Sequence, residues 1–272
     1  MANSSNIKTI LGSLGSYTFI KTDDGTQTIF SHYFDESCHS SSGALEETLQ
    51  NYVLGTEVPS RLQTSQMAQQ IFTVLEVGFG TGIGYSATID ALKSRSISPK
   101  SLSFISTELD EKLALFALEN LVQGQYLKGY EKVIESGLTY FKGITHDGQF
   151  MKVLIGDARE TIPQWRAQGE KVNAIYQDPF SPNKNPSLWT VEWFEELRSV
   201  SDLDCILSTY SSTKGIWKSM LEAGWRVSEA KGFGNKKLST RAYLNPKKDS
   251  SAQILKWCQD SPLRASRDPS CT

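Results

Sequence analysis

Ile71-Phe-Thr-Val-Leu-Glu-Val77 runs directly into Gly78-Phe79-Gly80-Thr81-Gly82-Ile83-Gly84. The first seven residues are an apolar, β-branched run of strand length, the pattern of a buried strand. The glycines then allow a sharp turn and a close approach of backbone to a ligand, and the helix expected over 82–94 presents its N-terminus there. Dinucleotide-binding dehydrogenases use a similar device. The G-x-G-x-x-G register starting at Gly78 fails, however, because position 83 is isoleucine.

Working outward, the chain repeats strand, tight turn and helix. Strands are expected at 102–107, 152–155, 172–176, 203–209 and 225–229, with helices at 110–123, 158–168, 189–200 and 212–223 between them. Such alternation indicates a parallel sheet covered on both faces. Residues 124–150 break the rhythm and read as an inserted helix-loop segment. Upstream, 17–30 reads as a hairpin turning at Asp24-Gly25, and a helix is expected near 44–54. The expected organisation is an N-terminal cap over 1–65, an α/β domain over 66–246, and a tail over 247–272 with one short helix near 253–258.

In open α/β sheets ligands sit beyond the carboxyl ends of the strands. Three strands end there in an acid: Glu108, Asp157 and Asp178. Glu108 can accept the two hydroxyls of a ribose, and Asp157 the amino group of adenine. Taken singly, Asp110 and Asp157 also read as helix N-caps, and Asp178 before Pro179 as a turn. A dehydrogenase accounts for Glu108 but not for Asp157 and Asp178. The acid-x-G-x-G-x-G spacing from Glu76 through Gly78, Gly80 and Gly82 resembles the first motif of class I S-adenosyl-L-methionine-dependent methyltransferases. That resemblance implies a Rossmann-like fold and S-adenosyl-L-methionine as cofactor. Its cofactor-binding candidates are Glu76, Gly78, Phe79, Gly80, Thr81, Gly82, Glu108, Asp157, Ala158, Asp178 and Phe180.

Longer stretches extend the likeness. Asp178-Pro-Phe-Ser-Pro-Asn-Lys-Asn-Pro-Ser-Leu-Trp-Thr190, Lys231-Gly-Phe-Gly-Asn-Lys-Lys237, and the leading Asp24–Phe30 and Phe34–Glu47 segments resemble the MnmC-like methyltransferase family, in the same order along residues 17–245. The resemblance implies N-methylation of a 5-aminomethyl group on the wobble uridine of tRNA. It makes the tRNA anticodon arm the expected partner and Asp178 the expected catalytic group, with a stand-alone form lacking the oxidase domain that many members carry. Two departures stand out: Pro179 replaces a small residue, and Lys237 replaces an arginine, whose bidentate phosphate fork lysine cannot form.

Charge patterning is compatible with RNA. The whole chain carries −2, so no global field draws it to a polyanion. Residues 205–272 nevertheless hold 12 Lys/Arg against 5 Asp/Glu. Lys184, Lys231, Lys236, Lys237 and Arg241 are the RNA-binding candidates, each also readable as part of a solvated face. His39 is the histidine within the family-like segment, and Tyr85, Trp189, Trp193 and Tyr210 are candidates to stack on a base.

Cys38, Cys205, Cys258 and Cys271 show no zinc-type spacing. No metal is expected, and free thiols in a cytoplasmic protein are. No signal segment or membrane-spanning run is expected either. Competing readings are a methyltransferase acting on a small amine or another RNA, and a catalytically silent cofactor-binding protein.

Overall fold

The computed structural model describes residues 9–122, 124–146, 150–167, 169–234 and 236–269. Gln123, Gln168, Asn235 and Cys271, which figure in the expectations above, lie outside the described residues, as do 1–8 and 147–149.

The chain begins with a four-stranded antiparallel sheet of β1 (Thr9–Leu11), β2 (Ser16–Lys21), β3 (Gln27–Ser31) and β4 (Glu36–Ser37). β2 and β3 form the expected hairpin, with Gly25 at φ +83° in its turn. Next come α1 (Ala44–Thr48), a π-helical turn over Leu49–Val53, and α2 (Val58–Met67).

The α/β alternation then starts: β5 (Phe72–Val77), α3 (Ile83–Lys93), β6 (Leu102–Glu108) and α4 (Glu111–Ala117), the last extended by a π turn over Leu118–Val122. β7 (Leu127–Glu135), β8 (Leu138–Thr145), β9 (Phe150–Ile155) and α5 (Ala158–Arg166) follow. The chain continues through β10 (Val172–Gln177), a 3₁₀ turn over Pro186–Trp189, α6 (Val191–Val200), β11 (Ser201–Thr209), α7 (Lys214–Glu222), β12 (Arg226–Lys231), β13 (Leu238–Tyr243) and α8 (Ala252–Gln259).

The large sheet has the order β12-β13-β11-β10-β5-β6-β9-β8-β7. Its centre, β11 through β9, is parallel. β5 sits in the middle with every residue buried, as a strand covered on both faces requires. One apolar cluster, with Trp165, Phe194 and Trp225, lies on one side, and a second, with Phe79, Phe104 and Tyr176, on the other.

Two expectations are corrected. Residues 127–145 are not a helix-loop insertion but an antiparallel hairpin that extends the sheet beyond β9. β7 is the outer strand, half solvated, and its Lys/Glu-rich sequence lacks the apolar alternation that marks a strand. β13 was also not anticipated. Its sequence, LSTRAY, is polar, yet its middle four residues are buried between β11 and β12. Hydrogen bonds such as Trp217 Nε1 to Thr240 Oγ1, at 2.8 Å, satisfy those polar groups.

Candidate active site

β5, β6 and β10 run side by side in parallel register, so their carboxyl ends deliver Val77, Thr107 and Gln177 to one edge. The glycine loop, Glu108, Gly156-Asp157 and Asp178 all follow from that edge. Together they line a cleft of about 800 Å³. Gly78 has φ +98°, and a Cβ there would sit 2.9 Å from the Asp178 carbonyl oxygen, so loop and β10 end meet only through glycine. At Gly84 a Cβ would stand 1.6 Å from Glu76 Oε1. The Glu76 carboxyl is thus folded under the start of α3, where Ser106 Oγ donates to its Oε2 at 2.7 Å. Burial holds it well above the usual carboxylate range.

Glu108 accepts the Gly80 N–H at 2.9 Å and the Asp110 N–H at 3.0 Å. Burial pushes its pKa up to about 7, against the pull of those N–H donors. Asp157 caps α5 through the Arg159 N–H, and the Arg159 guanidinium lies on both of its oxygens, 2.8–3.2 Å away. Burial opposes ionisation there, but these bonds outweigh it and lower the pKa. Phe79, Ala158 and Phe180 also line the cleft. Thr81 is buried with its hydroxyl unbonded, and neither it nor Gly82 lines the cleft.

The opposite wall comes from the N-terminal sheet. Asp110, besides capping α4, accepts the Ser13 and Leu14 N–H groups and the Tyr17 hydroxyl at 2.8–2.9 Å. That anchors the cap across about a hundred residues of sequence. Phe34 stacks on Phe180 with centroids 4.3 Å apart, Glu36 accepts the Ser181 N–H at 2.8 Å, and Asp35 pairs with Lys184 at 2.8 Å. The Pro-Phe-Ser-Pro loop is therefore clasped by residues 34–36.

Asp178 lines the cleft with its side chain 15% exposed. Tyr52 Oη donates to Oδ1 at 2.5 Å, and His39 Nε2 stands 4.0 Å from Oδ2. Desolvation raises the Asp178 pKa well above its ordinary value, partly offset by the Tyr52 bond. Burial drives His39 down to about 4, so at neutral pH it is an uncharged ring, bonded through Nδ1 to Thr28 Oγ1. The π turn presents Tyr52: its carbonyls at Gln50 and Asn51 accept from Arg241 and Ser208. Insertions of this kind recur where a helix must aim one side chain.

Sequence reasoning missed Tyr52 and Glu47. Both sit on a helical stretch whose apolar spacing signals only packing, and they reach the site through the tertiary fold. Tyr210 lines the cleft and donates to the Pro179 carbonyl. Tyr85, Trp189 and Trp193 are buried; the two indoles donate to Phe180 O and Gln177 Oε1.

Among the RNA-binding candidates, Lys184, Lys231, Lys236 and Lys237 are exposed. Arg241 is a correction. It is 7% exposed, and its guanidinium is taken up by the Gln50 and Thr240 carbonyls and Ser239, so it braces the π turn and cannot reach a phosphate.

Cys38, Cys205 and Cys258 are free thiols. Among the described residues no His, Cys, Asp and Glu group could hold a metal, and no helix is long and apolar enough to cross a membrane.

A parallel sheet with a glycine loop after its central strand, and acids after the next strands, defines a class I S-adenosyl-L-methionine-dependent methyltransferase. A family model described as S-adenosyl-L-methionine-dependent methyltransferase matches residues 125–245. Within that class the chain is similar to proteins named MnmC. It is 30% identical over 226 residues to the tRNA 5-methylaminomethyl-2-thiouridine biosynthesis bifunctional protein MnmC of Paraburkholderia phymatum, covering 79% of this chain and 33% of that one. The Leptospira borgpetersenii protein of the same name is 27% identical over 246 residues, 86% of this chain and 37% of that one. The chain thus spans about a third of the length of these curated relatives. The crystal structure of MnmC2 from Aquifex aeolicus superposes with a TM-score of 0.70 at 25% identity, covering 98% of this chain and 81% of that one.

Proposed function

We propose that this protein methylates the primary amine of a 5-aminomethyl group on the wobble uridine of tRNA. One observation carries the reading: a half-buried carboxylate, Asp178, lines the cleft, aligned by Tyr52 and beside the stacked rings of Phe34 and Phe180. The names of the relatives, which specify tRNA, supply the RNA.

The bound cofactor supplies an electrophilic methyl on a sulfonium that leaves as a neutral thioether. In our reading Glu108 accepts the ribose hydroxyls, Asp157 and Ala158 flank the adenine, and the Glu76–Gly82 loop with Phe79 packs around the remainder. Asp178 accepts a proton from the substrate's ammonium group, which frees the nitrogen lone pair. With the cofactor bound, that nitrogen would take the methyl carbon as the carbon–sulfur bond breaks. A carboxylate made more basic by burial suits that proton transfer. Phe34, Phe180 and Tyr210 shield the site from water and hold the base, so positioning contributes much of the rate. Residues up to 65 act as a cap on the domain over 66–246, with 247–272 as a tail. Lys184, Lys231, Lys236 and Lys237 offer cations to the anticodon-arm phosphates, and that substrate places the work in the cytoplasm.

The test is methyl transfer from labelled S-adenosyl-L-methionine to tRNA carrying 5-aminomethyluridine, with tRNA lacking that group as control. Incorporation confined to the modified tRNA, recovered as 5-methylaminomethyluridine, is the expected result. Cofactor binding without incorporation would remove the tRNA amine as substrate.

A further inference from the structure

Two carboxylates, not one, face the acceptor end of the cleft. Glu47 lines it together with Asp178, although its side chain is only 6% exposed. Consecutive residues tie the two acids to one wall: the Ser40 N–H donates to Glu47 Oε2 at 2.7 Å, while the His39 ring lies 4.0 Å from Asp178 Oδ2. Each acid therefore has one oxygen held by a short bond, Oε2 by Ser40 and Oδ1 by Tyr52. Among the described residues its other oxygen has only a longer-range neighbour.

For Glu47 that neighbour is a cation. Lys236 Nζ lies 3.7 Å from Oε1 and 4.2 Å from the centroid of the Tyr210 ring. A charge-assisted hydrogen bond is about 2.7–2.9 Å long, so Lys236 approaches without locking on, and its side chain stays 48% exposed. A loosely held ammonium, between a buried carboxylate and an aromatic face, marks a place built for an ammonium group.

We infer that Glu47 Oε1, Asp178 Oδ2 and the Tyr210 face form the seat for the substrate's primary ammonium, and that Lys236 occupies this seat until substrate displaces it. A primary ammonium has three N–H donors, enough for both carboxylates, and the ring adds cation–π attraction. Asp178 then takes the proton while Glu47 orients the nitrogen, so Glu47 governs amine recognition. This inference rests on the amine-methyltransferase reading above and assigns its specificity.

The experiment compares two anticodon stem–loop RNAs, one with 5-aminomethyluridine and one with uridine at the wobble position. Their Kd values are measured on the full chain saturated with S-adenosylhomocysteine. The ratio of the unmodified to the modified Kd cancels phosphate contacts common to both RNAs. Glu47→Gln, which keeps the shape and the Ser40 acceptor, lowers that ratio about tenfold, the scale of one lost charge-assisted bond, and leaves the unmodified Kd within about twofold. Lys236→Met raises the ratio several-fold, because the competitor is gone. A ratio unchanged in a Glu47→Gln protein that melts like the wild type overturns the inference. If Glu47→Gln does not fold, the Lys236→Met ratio decides: a rise supports the inference, and no change or a fall overturns it. Methyl transfer by the wild type with a Kd ratio of one would sink the ammonium seat and spare the proposed function. Absence of transfer to the aminomethyl RNA would bring down both.

Discussion

The hydroxyl of Tyr52 donates a 2.5 Å hydrogen bond to Oδ1 of Asp178, across 126 residues of sequence. Tyr52 is itself clamped, its ring 5.6 Å from that of Tyr176 and its π turn braced by Arg241 and Ser208. The bond selects one orientation of the carboxylate and favours its ionised form, while burial works the other way.

Tyr52→Phe keeps the ring and removes the donor. With burial less opposed, the Asp178 pKa rises further, so the acid limb of the kcat/KM profile moves to higher pH. Turnover at neutral pH falls about ten- to a hundredfold through lost basic form and looser orientation, and cofactor Kd stays within about threefold. Stopped-time methyl transfer across pH 6–9 and calorimetric cofactor titration check this. A tenfold loss of cofactor affinity would mean Tyr52 supports the donor pocket instead.

Glu108 ties cofactor binding to pH. Its free-protein pKa of about 7 leaves it half protonated at neutrality, whereas accepting two ribose hydroxyls needs the carboxylate. Affinity for S-adenosyl-L-methionine therefore rises about tenfold from pH 6 to pH 8, the change in ionised fraction, with net proton release. Glu108→Gln binds weakly at every pH, and titration in buffers of different ionisation enthalpy reads the proton. The stability sign is opposite: a raised carboxyl pKa means the folded state binds more protons between about 4.5 and 7. This group's contribution is thus full at low pH and is lost as pH rises through that window.

His39 pulls the other way. Its pKa of about 4 in the fold, against 6.5 when exposed, means the unfolded chain binds the extra proton. Its stabilising contribution is present above about 6.5 and is lost as pH falls toward 4, at up to about 1.4 kcal/mol per pH unit. Urea unfolding of wild type and His39→Gln at pH 5 and pH 7 isolates the effect, because the other titrating groups are common to both. The variant should lose less stability on acidification; an identical loss would show that His39 is protonated in the fold.

Basic residues separate into two kinds. Lys231 and Lys237 are exposed, and changing both to alanine should weaken tRNA binding and flatten its log–log salt dependence by about 1.5, the share of two phosphate contacts. Arg241→Met should leave the salt slope unchanged while costing about 1–3 kcal/mol of folding stability, since buried carbonyls lose their donor. It should also lower turnover by loosening Tyr52. Filter binding at graded salt and thermal unfolding separate the two cases.

Local pattern alone made much of this protein legible. Glu76 through Gly84 declared a strand, a turn and a helix start, because backbone freedom at glycine and burial of apolar side chains act over a few residues. Glu108, Asp157 and Asp178 were readable as a set because parallel strands carry their C-terminal residues to one edge. The β7–β8 hairpin and β13 were not readable. A solvated outer strand needs no apolar alternation, and the polar side chains of Ser239, Thr240 and Arg241 are buried through hydrogen bonds to other elements. Tertiary structure alone decided the acceptor end of the cleft. It brings Tyr52, His39, Glu47 and Phe34 from the N-terminal segments onto the β10 loop, and turns Arg241 from a surface cation into a brace. A side chain's burial, partners and protonation depend on which surfaces meet in space, and for these residues the partners lie up to 191 positions away along the chain.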